Sequence, residues 1–343
     1  MTSAALLCGC PSDEQDDDAA APTTTEQGTT ATTAPPMTTV AATETASSDS
    51  ATTSPTSTTA TTDPTTGDPD SSGGFVFDLG SLPDSPPNDM GCTKVDFLFV
   101  IDNSGSMSAQ QVQLLNSFTG FIDAIQMSLE GTVDSYHVGV ITSDAYTANA
   151  PGCQSLGALV TQTQAGGVCT PFADGNRFAT EADDLDAVFP CIGQVGAFGS
   201  GTELPVTATI EALSPALGAP GACNDGFLRD DAILVLVVLT DDPPFAGTMD
   251  DAHPMAPVAT WNPAILAAKN DDPEALVVIG FVPWTDVSCV VFGIESPNLI
   301  SFVQSFGDQG VIASICEPDF GPVFAQTVST IVETCENFNP PAE

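Results

Sequence analysis

An apolar run at residues 95–101 is short for a helix and ends abruptly in polar side chains. Its β-branched and aromatic residues, closed by a polar loop, predict a buried β-strand. Asp102, Ser104 and Ser106 follow at intervals of two, and Gly105 lets the backbone turn tightly among them. The sequence therefore predicts a group of oxygen-bearing side chains at the end of a buried strand.

Two distant segments add to this group. Residues 232–242 form a second buried-strand run that ends in Asp241, and a Gly-rich loop at 198–203 carries Thr202. Continuous apolar strands that alternate with helices indicate a parallel sheet covered on both faces. In such open sheets, ligands bind beyond the carboxyl ends of the strands, where Asp102 and Asp241 are expected to lie.

The chemistry of these side chains suits a hard cation. Divalent cations such as Mg²⁺ prefer oxygen ligands, and Mg²⁺ takes six of them in near-octahedral geometry. Two hydroxyls and one carboxylate leave such an ion under-neutralised, so it keeps an open position that attracts a partner's carboxylate. An ordinary polar turn is the alternative reading. An EF-hand loop does not fit, because its sixth position would be Met107 and its twelfth Gln113.

The three segments, in this order, resemble the metal-ion-dependent adhesion site (MIDAS) of von Willebrand factor type A (vWA) domains, of the bacterial surface and lipoprotein kind. The resemblance covers roughly residues 92–335. It implies an α/β fold with a doubly wound, mostly parallel, Rossmann-like sheet flanked by helices. It also implies that the strands ending at Asp102 and Asp241 are neighbours, with the Thr202 loop over the same edge.

The resemblance further implies a ligand set. Ser104, Ser106 and Thr202 would supply hydroxyls, and Asp102 and Asp241 would act directly or through waters. Glu203, next to Thr202, is a weaker candidate to supplement them. Mg²⁺ is the expected cation, with Ca²⁺ and Mn²⁺ as alternatives, and the partner is expected to be a protein that offers an acidic side chain.

The expected function is a non-enzymatic, metal-dependent protein-binding or adhesion module tethered to the cell envelope. Two alternatives remain. One is a structural surface scaffold with a vestigial metal site. The other is a serine hydrolase that uses Ser104 or Ser106, but the sequence lacks a Gly-x-Ser-x-Gly motif, and its two histidines, His137 and His253, have no triad context. We interpret His137 as structural.

The ten cysteines indicate the compartment. Cys8 and Cys10 lie at the N-terminus, and the other eight are widely spread without a Cys-x-x-Cys pair, which is typical of disulfides formed outside the cytoplasm. Eight cysteines allow 105 connectivities. The pairing we favour, a guess from position along the chain, is Cys92–Cys335, Cys153–Cys169, Cys191–Cys223 and Cys289–Cys316.

The first 91 residues differ in composition from the rest of the chain. Residues 1–10 resemble a truncated lipoprotein signal, with Cys10 as the lipidated residue, although a basic region is missing. Residues 11–91 are first acidic and then rich in Thr, Ser and Pro, which predicts a disordered linker. The predicted vWA domain spans 92–336, and 337–343 form a C-terminal tail. Any membrane contact would therefore be through the lipid anchor.

The balance of charge argues against two classes of partner. The chain has 45 acidic and four basic side chains and a formal net charge of −41. A protein this acidic is repelled by nucleic acids and by anionic membrane surfaces. Nucleic acid is therefore not an expected partner.

The remaining elements follow from periodicity. Helices are predicted at 108–129, 183–192, 203–217, 257–269, 297–306 and 319–334, and further strands at 136–143, 275–282 and 310–315. In the first helix the predicted buried side begins with Val112 and Leu115. Residues 145–182 are expected to form an irregular, disulfide-pinned insertion or hairpin near the site. The loop at 243–256, with Asp250, Asp251 and His253, is expected to be solvated rather than a second cation site.

Overall fold

The computed structural model of the protein describes residues 91–128, 133–242 and 257–341. The predicted signal with Cys10, nearly all of the predicted linker and the loop at 243–256 lie outside the described residues. In the part that is described, no helix is both long and apolar enough to cross a membrane.

The described residues form a six-stranded sheet in the order β3-β2-β1-β4-β5-β6. Five strands are parallel, and β3 runs antiparallel to β2. The doubly wound, mostly parallel α/β fold is therefore confirmed, and the strands ending near Asp102 and Asp241 are neighbours. The strands are β1 (Lys94–Ile101), β2 (Ser135–Thr142), β3 (Ala179–Thr180), β4 (Ile233–Leu239), β5 (Leu276–Val282) and β6 (Gly310–Ser314).

The helices occur in the predicted order, except that one predicted helix is divided into two. The segment predicted as one helix at 203–217 contains two helices. Pro215 lacks an N–H group and cannot continue the first helix. The side chain of Ser214 accepts a hydrogen bond from Leu217 N and so caps the start of the second. The helices are α1 (Ser108–Ser128), α2 (Leu185–Ile192), α3 (Pro205–Ala212), α4 (Pro215–Gly218), α5 (Pro257–Ala267), α6 (Pro297–Gln304) and α7 (Gly321–Asn337).

The core has two halves because successive strand residues point to opposite faces of the sheet. Phe97 and Phe99 of β1 pack with residues of α1, α2 and α7 on one face. Leu98 and Val100 pack with residues of α3, α5 and α6 on the other. Every residue of the central strands β4 and β5 is buried, as their continuous apolar sequence predicts.

One detail of α1 differs from the prediction. Val112 is 55% exposed, and Leu114 is buried in its place. The buried stripe at the start of α1 contains Gln110 and Gln111, so it cannot be recognised from apolar residues alone. Gln111 is buried because its Nε2 donates to the backbone oxygens of Asp102 and Gly196, each at 2.8 Å.

The described residues contain four disulfides, and two of them differ from the favoured pairing. Cys92–Cys335 and Cys289–Cys316 are as predicted. The predicted Cys153–Cys169 and Cys191–Cys223 are wrong, since the bonds are Cys153–Cys223 and Cys169–Cys191.

The folding of the 145–182 insertion explains the exchange. Its first part packs on α3 and the segment after it, where Asn224 bonds Gly157 O and Leu159 N, and this brings Cys153 to Cys223. Its second part turns back near the end of α2, where Gln164 N donates to Gln194 O, and this brings Cys169 to Cys191. Nearness along the chain therefore does not decide these pairs.

Candidate metal centre

The candidate site lies at the carboxyl edge of the sheet, beyond β1 and β4. Asp102 N donates to Leu239 O at 2.9 Å, so the two strand ends are joined directly. The loop that precedes α3 reaches the same edge, where Gly199 N donates to Asn103 O and Leu204 N donates to Ser143 O, each at 2.8 Å. Three segments that are distant in sequence thus meet at one place.

Three carboxylates converge there. Asp102, Glu203 and Asp241 are all buried, and each offers an oxygen within 4.8 Å of the other two. Ser106 Oγ donates to Asp241 Oδ1 at 2.9 Å, and Ser104 Oγ lies 3.2 Å from Ser106 Oγ. These five side chains, Asp102, Ser104, Ser106, Glu203 and Asp241, are called the oxygen cluster below.

Both carboxylate oxygens of Asp102 accept hydrogen bonds. Its Oδ1 accepts hydrogen bonds from Ser104 N at 2.8 Å and from Ser143 Oγ at 3.1 Å. Its Oδ2 accepts one from Thr240 Oγ1 at 2.7 Å. The carboxylate is therefore oriented by the ends of three neighbouring strands. Sequence reasoning assigned no role to Ser143 or Thr240, which immediately follow β2 and β4.

The loop before α3 differs from the expected arrangement. Thr202, the predicted hydroxyl ligand, is exposed, whereas Glu203 is 5% exposed and belongs to the cluster. The structure thus brings Asp102, Ser104, Ser106 and Asp241 together as predicted, with the carboxylate of Glu203 among them. Thr202 lies at the rim.

A second set of polar contacts holds the loop in place. Asp144, which follows β2, accepts from Asn103 Nδ2 at 3.0 Å and from Ser200 N at 2.8 Å. Gly199 packs closely on Asn103, and a Cβ atom at position 199 would come within 2.4 Å of the Asn103 side chain. Asp144 is therefore a positioning residue for the loop, and the glycine permits the close approach.

Burial and neighbouring negative charges disfavour the ionised forms of the three carboxyl groups. Burial, together with the charges of Asp102, Asp241 and Asp242, raises the pKa of Glu203 to about 9. Burial also raises the pKa of Asp102 to about 6 against the opposing effect of its hydrogen bonds, and it raises the pKa of Asp241. Like charges in a buried site are costly unless a cation compensates them.

The donor set fits such a cation. All five side chains of the oxygen cluster bind through oxygen, which suits Mg²⁺, Ca²⁺ or Mn²⁺ better than a soft metal. The Oε2 atom of Glu203 is buried and accepts no hydrogen bond within the described part of the chain. A buried carboxylate oxygen without a donor is costly, and a bound cation would satisfy it.

A groove of about 600 Å³ opens beside the cluster. Its lining includes Asn103, Asp144, Phe198 and Thr202. Phe198 is 88% exposed, although an aromatic side chain of this size contributes most when it is buried. The rim of the site therefore combines polar and apolar surface.

No known protein family and no curated protein sequence matches the chain. Among solved structures, a zinc-occupied MIDAS form of mussel proximal thread matrix protein 1 is similar, with a TM-score of 0.37 and 11% identity over 72% of this chain and 49% of that one. The pilus adhesin SpaC of Lactobacillus rhamnosus GG has a TM-score of 0.37 and 13% identity over 74% and 31% of the two chains. A point mutant of the PilB minor pilin of Streptococcus sanguinis has a TM-score of 0.34 and 12% identity over 74% and 63%.

The present chain thus spans about half the length of the mussel protein and less than two thirds of each of the two pilus proteins. Similarities at this level assign neither a family nor a function to the chain.

Proposed function

We propose that this protein is a divalent-cation-dependent protein-binding module that acts outside the cytoplasm. The observation that supports this most is the convergence of five oxygen-bearing side chains from three distant segments at the carboxyl edge of the sheet. A polar turn after β1 would not require buried carboxylates from two other segments to meet it.

The cation would be held by Ser104, Ser106 and Asp241, by Asp102 directly or through water, and by Glu203. When bound, it would supply a coordination position for a ligand oxygen. A hard cation with an exchangeable position favours a carboxylate from a partner. Mg²⁺ is the ion we propose first, with Ca²⁺ and Mn²⁺ as alternatives.

A protein is the partner that the rim fits best. Phe198 and the groove beside it offer apolar contact area next to the cation, and binding surfaces are enriched in exposed aromatic side chains. An acidic side chain of the partner would reach the cation while neighbouring residues cover Phe198.

Four disulfides support an extracytoplasmic location, because such bonds persist in oxidising compartments. We extend this to the cell envelope or surface, with a lipid anchor at Cys10, on the strength of the sequence pattern alone. Cys10 lies outside the described residues.

We also propose that the module is not an enzyme. Ser104 and Ser106 are bonded within the oxygen cluster, while His137 pairs with Asp96 in the register of β1 and β2. Asp96 lies about 17 Å along β1 from its carboxyl end, so His137 is far from both serines. The Nδ1 atom of His137 is 2.7 Å from Phe227 O, which gives the ring a structural contact there.

Calorimetric titration of the full chain with Mg²⁺, Ca²⁺ and Mn²⁺ tests the cation. One ion per chain is expected for the natural protein, and Asp102→Ala should abolish binding because the best-oriented carboxylate is lost. Asp123→Ala, at an exposed position on α1, is the matched control and should bind like the natural protein. If the natural protein binds no divalent cation at millimolar concentration, the structural scaffold takes the place of this proposal.

Peptide arrays test the partner. Peptides that contain Glu or Asp next to apolar residues should be retained in Mg²⁺ and released by EDTA, and the same peptides with Gln or Asn should not bind. Phe198→Ser should weaken retention without changing cation affinity. Equal retention of acidic and amide peptides would exclude a carboxylate ligand.

A further inference from the structure

Glu203 has an unusual position among the three carboxylates. It follows three exposed residues, 200–202, and yet its own side chain is 5% exposed and faces the buried ends of β1 and β4. The next residue, Leu204, is anchored by its N–H to Ser143 O at 2.8 Å. The backbone at this point therefore directs a long acidic side chain inward from a surface loop.

The hydrogen bonding of Glu203 differs from that of its neighbours. Asp102 accepts three hydrogen bonds from Ser104, Ser143 and Thr240, and Asp241 accepts one from Ser106. The Glu203 carboxyl has a side-chain hydrogen bond with Ser104, but its Oε2 atom accepts none among the described residues. The protein thus fixes the two aspartates and leaves one oxygen of Glu203 available for a cation.

The charge of Glu203 affects how an acidic partner could bind to the cation. Asp102 and Asp241 together neutralise a divalent cation, and Glu203 adds a third carboxylate within 4.8 Å of both. The occupied site would then carry an excess negative charge, which repels an incoming carboxylate. An acidic partner and Glu203 cannot both be favourable ligands of the same ion.

We propose that Glu203 is an internal carboxylate ligand that holds the position a partner carboxylate would take, so that an acidic partner binds by displacing it. This inference rests on the proposed function. The resting site is closed, and the partner must compete with a tethered carboxylate. Displacement exchanges one carboxylate for another, so the charge around the cation does not change.

The position of Glu203 suits an exchangeable ligand. Its side chain has three rotatable bonds and extends from a loop whose residues 200–202 are exposed, so it can turn outward without moving the sheet. Asp102 and Asp241, which lie at the strand ends, have no such freedom. Selectivity then follows, because only a partner with further contacts, for example to Phe198, outcompetes a tethered ligand.

Terbium luminescence measures this directly. Tb³⁺ prefers oxygen ligands as Ca²⁺ does, and its decay rates in H₂O and D₂O report the number of water molecules bound to it. In the full chain, Glu203→Ala should increase that number by about one or two, because water fills the vacated position. Glu211→Ala, the same change at an exposed position on α3, is the control and should leave the number unchanged.

Acetate serves as the test carboxylate. It should remove the added water from Glu203→Ala at concentrations that leave the natural protein unchanged. Glu203→Asp, whose side chain is one methylene shorter, should also gain water at the ion, so the test does not depend on one substitution. Equal water numbers in all four proteins, or equal sensitivity to acetate, would overturn the internal ligand and leave the cation site standing. Failure of the natural protein to bind Tb³⁺ would overturn both proposals.

Discussion

Thr240 donates a 2.7 Å hydrogen bond from Oγ1 to Oδ2 of Asp102, although the two residues are 138 positions apart. Both side chains are fully buried. The bond is possible because β1 and β4 are parallel neighbours, so the residues that follow them meet at one edge. It ties the orientation of the Asp102 carboxylate to the end of the adjacent strand.

We therefore expect Thr240→Val to weaken cation binding. The substitution keeps the side-chain shape but removes the donor to Asp102 and the acceptor of Asp242 N. Loss of a hydrogen bond that orients a metal ligand lowers metal affinity about 10–100-fold. Loss of a donor to a buried carboxylate also lowers the free energy of unfolding, by about 1–3 kcal/mol. Calorimetric titration and urea unfolding measure the two effects. Thr240→Ser keeps the hydroxyl and is the control, and an unchanged affinity in Thr240→Val would contradict the role of the bond.

The sheet could be predicted from the sequence because its central strands are continuous apolar runs. Burial on both faces leaves β4 and β5 no polar residues, so their type and order can be recognised without tertiary information. The same pattern predicts that Asp102 and Asp241 lie at the carboxyl ends of strands, whereas the adjacency of those strands is implied only by the family resemblance. It could not assign roles to Ser143 or Thr240, because hydroxyl residues after strands are common and only the register makes them face Asp102.

The loop before α3 shows where periodicity gives no information. Whether Thr202 or Glu203 faces the cluster depends on the backbone of a Gly-rich loop, and that backbone is set by contacts with Asn103, Ser143 and Asp144. The wrong pairing of two disulfides has a similar origin. The 145–182 insertion folds in two directions, and its sequence contains no regular pattern that shows this.

Thr202 and Ser106 should differ in their importance for the cation. Ser106 bonds Asp241 and belongs to the cluster, whereas Thr202 is exposed at the rim. Ser106→Ala should lower cation affinity about tenfold, because it removes one hydroxyl ligand and one contact of Asp241. Thr202→Val should change affinity by less than about twofold. Titration of both variants with Mn²⁺ checks this, and a larger loss in Thr202→Val would place its hydroxyl on the ion.

The two exchanged disulfides should contribute unequally to stability. Cys153–Cys223 closes a sequence separation of 70 residues, and Cys169–Cys191 closes one of 22. In the chain-entropy account the longer loop stabilises more, by about 1 kcal/mol. Urea unfolding of the paired serine variants measures the difference, and peptide mapping without reduction checks the connectivity. Recovery of a Cys153–Cys169 peptide would contradict the structure.

His137 should make the folded state sensitive to acid. Burial lowers its pKa from 6.5 to about 4, and its neighbours are the backbone oxygen of Phe227 at 2.7 Å, the ring of Phe178 and Oδ1 of Asp96 at 3.5 Å. As pH falls from 6.5 toward 4, His137 becomes protonated in the unfolded chain but stays neutral in the folded chain. The free energy of unfolding therefore decreases through this window, by about 1–3 kcal/mol after allowance for partial exposure.

Asp96 opposes this effect, so the prediction needs a matched variant. Burial raises the pKa of Asp96 to about 6 despite its pairing with Arg229, and the folded chain therefore gains stability from this group as pH falls below 6. His137→Asn keeps a donor for Phe227 O but does not titrate, and it retains Asp96. As pH falls from 7 to 5, the free energy of unfolding of the natural protein should therefore decrease relative to that of His137→Asn, as measured by urea unfolding. A difference that stays constant over this range would show that His137 accepts its proton equally well in both states.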